Sequence, residues 1–77
     1  MAFEKLDTVV LKRDLPEHDL RAGDLGAVVE EYGENQIEVE FVTASGRTKA
    51  LVSLDATDIR AIADTDLVAV RPLARPA

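Results

Sequence analysis

"RAGDLGAVVEEYGENQIEVEF", residues 21–41, decides the fold. Its last third is the clearest strand in the chain. Ile37, Val39 and Phe41 alternate with Gln36, Glu38 and Glu40, and a period of two sends one set inward and the other outward. "YGENQ", residues 32–36, places Gly33 and Asn35 where a hairpin needs them. "GAVVEEY", residues 26–32, is then the partner strand. Gly23 and Gly26 punctuate the entry to it, offering positive φ and close backbone approach at a bend. The step Gly-x-x-Gly precedes a strand rather than a helix, so it lacks the helix N-terminus that makes a phosphate loop.

Working outward, "TVVLK", residues 8–12, is apolar and β-branched and reads as a first strand. Residues 13–24 are polar around Pro16. They form a long loop and a candidate recognition loop, pinned to the body by Leu15 and Leu20. After the hairpin, "TASGR", residues 43–47, is a turn and "TKALVSL", residues 48–54, a further strand. In "DATDIRAIAD", residues 55–64, Asp55 caps one helical turn with Asp58 three positions on, followed by a short strand. "DLVAVRPL", residues 66–73, reads as another strand or an ordered extension, and "ARPA" as a frayed tail.

Several short strands with turns between them and hardly any helix predict an all-β domain. The chain has 77 residues, enough for one domain over 1–77, with its core over about 6–62 and a C-terminal extension over 63–77. Two full sheets are too much for this length. A strongly bent, five-stranded SH3-like barrel fits, with one short helical turn before the last strand. A domain this small buries only about 60–65% of the surface of its unfolded chain. With no Cys and a single His at position 18, neither disulfides nor a Cys- or His-rich metal site reinforces it.

Composition narrows function. Net charge is −6, from 15 Asp and Glu against 9 Lys and Arg, which disfavours nonspecific nucleic-acid binding and anionic membranes. Residues 22–46 hold no Lys or Arg, while Glu30, Glu31, Glu34, Glu38 and Glu40 crowd the hairpin. "MAFEKLDTVV" has no signal-peptide layout and no run approaches a membrane span, so a soluble, cytoplasmic protein is expected.

No catalytic set is legible. Glu17, His18 and Asp19 are adjacent in the loop and cannot converge on one metal without a special turn. Ser45 and Ser53 have one distant His to serve them. The expectation is no enzyme, no cofactor and no metal. Phe3 and Tyr32 are the aromatics of interest. Tyr32 reads first as a cover for the open end of a thin core, and second as an exposed anchor. With one Tyr, two Phe and no Trp, a proline-peptide groove is not expected.

Asp7, Leu15, Pro16, Gly23, Gly26, Val28, Val39, Glu40, Phe41, Asp58 and Arg60 together make a pattern. It runs from "DTVVL" through a "DLPE" loop, the "LRAGDLGAVV" step and the "IEVEF" strand to "DIRAI". In this the chain resembles a small bacterial family, domain of unknown function 4926, over residues 7–62. The resemblance implies an SH3-like barrel, no established activity, and an antidote or accessory subunit for a neighbouring gene's product. The "GDLGAV" step also resembles that of ribosome-associated KOW modules, which tend to be basic.

Two readings follow. The first is a protein-interaction module docking a basic partner through Glu30, Tyr32, Glu34, Glu38 and Glu40. The alternative is a KOW-like nucleic-acid or ribosome-associated barrel using Arg47, Lys49, Arg60, Arg71 and Arg75. A third, weaker reading is a subunit resembling the SH3-like portion of multi-subunit metalloenzymes.

Overall fold

The computed structural model describes residues 3–73; the expected tail, Arg75 included, lies outside them. The strands are β1 (Thr8–Leu11), β2 (Leu25–Tyr32), β3 (Gln36–Val42), β4 (Thr48–Asp55) and β5 (Ile59–Ala61). They form one antiparallel sheet in the order β4-β3-β2-β1-β5. The all-β, five-stranded architecture agrees with the sequence reading, and the SH3-like description fits it. β4 and β5 are the two edges and share no ladder.

Register follows the apolar pattern. Val28 faces Val39, Ile37 faces Leu54 and Val39 faces Val52. A slip by one residue would carry the β3 acids into the core. Val9, Leu11, Val28, Ile37, Val39, Phe41, Leu54 and Ile59 make the sheet's share of that core. Among the described residues no second sheet and no α-helix packs on it. The rest of the core comes from outside the strands, from Phe3, Leu15 and Leu20.

The loop after β1 contributes to the core. Leu15 and Leu20 exchange backbone hydrogen bonds of 2.9 and 3.1 Å and are both buried. Between them lies a 3-10 turn, Pro16–His18, which the sequence reading treats as plain loop. Its signal was Pro16, whose fixed φ suits the first helical position. Phe3 is also a core residue rather than a surface aromatic.

The expected helical turn is a 3-10 turn, Ala56–Asp58, joining β4 to β5. The Asp55 carboxylate accepts from Thr57 N at 3.1 Å, and Asp58 Oδ2 accepts from Asp55 N at 3.3 Å. Arg13 Nε donates to Asp58 Oδ1 at 2.9 Å and Lys12 N to Asp58 O at 2.8 Å. The turn is thereby tied to the end of β1, which delivers Ile59 to its place opposite Leu11.

Beyond β5 the chain turns at residues 63–66 and runs to Leu73 without joining the sheet. Of the two options for this stretch, the ordered extension holds and the strand does not. We refer to residues 66–73 as the strap.

Candidate protein-docking face

The hairpin's outer face depends on one extra residue. The β2–β3 register shifts between Val28 and Glu30, leaving Val29 as a bulge. A bulge reverses the parity of everything after it. Val28 is inside, and without Val29 as an extra residue Glu30 would follow it there. Instead Glu30 lies opposite Glu38 and Tyr32 opposite Gln36, all on the outer face. Glu40 joins them, opposite Ala27 on one side and Leu51 on the other. Four of the five predicted docking residues, Glu30, Tyr32, Glu38 and Glu40, thus share a face. Glu34 is exposed in the turn beside it.

The acids have partners of their own. Lys5 Nζ is 3.3 Å from Glu30 Oε1, a cation supplied from outside the hairpin that a scan of residues 22–46 cannot reveal. Tyr32 OH donates to Glu38 Oε1 at 3.1 Å, and Thr48 Oγ1 donates to a Glu40 carboxylate oxygen. The Tyr32 hydroxyl is held above its ordinary pKa, first by this hydrogen bond and then by the Glu38 charge. Tyr32 is 53% exposed, so it does not cover the core as the preferred reading has it. Its ring lies on the solvent side because the bulge sits between it and Val28.

Sequence reading missed two features of this part of the sheet. Val42 and Leu51 are half-exposed on it, so the face is acidic and apolar together. Glu31 lies on the opposite, core-facing row, across from Ile37. Its Oε2 atom is buried with no hydrogen-bond partner.

The strap and the outer face enclose a groove of about 1100 Å³. Val10, Leu25 and Val42 form its apolar side; Arg47, Lys49, Arg60 and Arg71 also line it. Cations that look scattered in sequence are therefore gathered in space. Two of them are committed. Arg60 donates to both Asp66 carboxylate oxygens at 2.9 and 3.0 Å. Arg71 donates to both oxygens of Asp24 at 2.9 and 2.6 Å and to Asp19 O at 2.9 Å. Arg47 and Lys49 have no salt bridge among the described residues.

The carboxylates respond. The Arg60 hydrogen bond, helped by the Ala63 N–H, lowers Asp66 to about 2. At Asp24 burial works upward, yet the hydrogen bonds and charges of Arg71 and Arg21 together outweigh it and hold the group below its ordinary value. Glu17 and His18 lie on the first 3-10 turn with Asp19 as its left-handed cap. Among the described residues no group of three or more His, Cys, Asp or Glu is arranged to hold a metal ion. None of the helical turns is long and apolar enough to cross a membrane.

A family model described as domain of unknown function (DUF4926) matches residues 5–61. The chain belongs to this family. No curated protein and no solved structure matches it. The DUF4926 match ends at Ala61, the last residue of β5, so the family covers the whole sheet and leaves the strap outside. Within the DUF4926 segment Gly23 and Gly26 do different work. Gly23 has φ +99°, a conformation that penalises any Cβ. At Gly26 a Cβ would lie 2.5 Å from Val39 Cγ1 and 3.0 Å from Phe41 Cε1. That hydrogen is what lets β2 lie close over the core.

Proposed function

We propose that this protein is a non-enzymatic protein–protein interaction module that docks a basic partner through the outer face of the β2–β3 hairpin. One observation carries the reading: Glu30 stands directly opposite Glu38, on a face that also presents half-exposed Leu51 and Tyr32. Directly opposed like charges weaken a strand pair, and exposed apolar side chains gain nothing from water. Stability alone disfavours both. A cationic surface with an apolar centre relieves both at once and associates faster for it. Such a role suits an antidote or accessory subunit of a neighbouring gene's product, acting in the cytoplasm.

The test is calorimetric titration against the product of the neighbouring gene. Binding should weaken steeply with salt and should be lost in a Glu38→Lys, Glu40→Lys double variant. Undiminished binding by that variant would sink the proposal.

A second reading keeps one supporting observation, the gathering of Arg47, Lys49, Arg60 and Arg71 along one groove. It predicts retention of RNA at low salt in a filter assay, abolished by Arg47→Glu with Lys49→Glu. The ion pairs that occupy Arg60 and Arg71 leave it the weaker of the two.

A further inference from the structure

The strap is a segment built to be covered. Leu67 is 95% and Val70 97% exposed, with Val68 largely so. Among the described residues no hydrogen bond reaches the backbone of residues 67–70. The segment is apolar and partly β-branched, the composition of a strand that has no partner. Its ends are fixed rather than loose. Asp66 is clamped by Arg60 and by Ala63 N at 2.7 Å, and Arg71 by Asp24 and the Asp19 carbonyl. With both ends tied, the residues between stand off the sheet and leave the groove beneath them open.

The groove supplies the complement. Val10, Leu25 and Val42 give it an apolar side, and its volume of about 1100 Å³ exceeds what a small-molecule site needs. We infer that this groove and strap are the two halves of a homodimer contact, in which the strap of a second copy occupies the groove and the relation is returned around a two-fold axis. Each chain carries both the exposed apolar strand and the apolar cleft, which is the condition for a closed, isologous interface. Two straps running antiparallel also satisfy each other's open backbone groups. The polar rim is complementary as well. Arg47 and Lys49 line the groove, and among the described residues neither they nor Asp64, in the turn that leads into the strap, has a salt bridge.

This contact adjoins the hairpin acids on the same outer face, with Val42 common to both, so Leu67 and Val70 of the strap, which the hairpin face does not include, tell the two readings apart. The two also differ in the sign of their salt dependence. Each copy carries a net charge of −6, so two copies repel at long range and screening favours their apolar contact. A cationic partner on the hairpin face is instead released by salt.

Sedimentation of the full chain over a range of concentrations tests the inference. The wild type should pass from monomer to dimer, with dimerisation unchanged or strengthened as salt is raised. Leu67→Asp with Val70→Asp should shift the midpoint upward roughly 100-fold or more, with an unaltered circular dichroism spectrum. Val42→Asp, on the groove side, should do the same. A wild type that stays monomeric throughout overturns the inference, as does a dimer that survives these substitutions or dissociates with salt. If the monomeric wild type binds a neighbouring-gene product and the strap variant does not, the strap belongs to that partner instead.

Discussion

Glu30 and Glu38 face each other across the β2–β3 ladder, yet each carboxylate has its own partner, Lys5 for one and the Tyr32 hydroxyl for the other. The pair is tolerated rather than favourable. Glu38→Lys turns it into an attraction and should stabilise the isolated protein by about 0.2–1 kcal/mol at low salt, read as a raised Tm. The same substitution should weaken partner binding. A variant that loses stability and binding together would instead mark Glu38 as structural.

Gly26→Ala should destabilise by about 1–3 kcal/mol, since overpacking forces its neighbours off their rotamers. The obstruction is Val39 and Phe41, both in the centre of the core. For a domain of this size each kcal/mol moves Tm by about 4–8 °C, so thermal melting resolves it. A companion Val39→Ala change should recover part of the loss, because it removes the closest contacting atom.

Leu6 offers a gain. It has φ 73° and is 84% exposed, so it carries left-handed strain and contributes little burial. Strain of this kind costs about 1–2 kcal/mol, and glycine's extra unfolded-state entropy takes back about 0.5–1. Leu6→Gly should raise stability by up to about 1.5 kcal/mol in a urea titration. A lowered midpoint would show that the turn depends on the Leu6 side chain.

The strap's anchors should fail in acid. Asp66 titrates at about 2 in the folded protein, against about 3.9 for a free Asp. A depressed carboxylate contributes stability above its unfolded pKa and loses it as pH falls through the folded one. The anchor should therefore be intact above about pH 5 and released near pH 2, with Asp24 shifted in the same direction. Carboxyl and Ala63 amide chemical shifts report it. Arg60→Gln should move the Asp66 transition up toward the free value.

The fold was legible because β3 alternates without interruption, and Ile37, Val39 and Phe41 admit one register. The docking face was legible only in composition. Nothing in "VVEE" distinguishes a bulge at Val29 from regular pairing, so the side taken by Glu30 and Tyr32 had to come from the ladder itself. Lys5 escaped notice because its partner lies far along the chain. The strap was half legible. "LVAV" has the composition of a strand, but β-propensity records a fit to a half-buried sheet, and among the described residues no sheet edge pairs with it. The ion pairs that hold it join Arg71 to Asp24, residues no local pattern connects.

The place of β5 beside β1 sets the order of assembly on the ribosome. β2, β3 and β4 form a local meander whose partners emerge in succession, so their loops close early. β1 is made first, but one edge waits for Arg60 and Ala61 to emerge and pair with Val10 and Val9. Until then a nascent chain exposes an open, apolar β1 edge, the kind of surface that aggregates or recruits chaperones. Truncations ending before Ile59 should accordingly express as insoluble or chaperone-bound chains, while those ending after Ala61 release a folded domain.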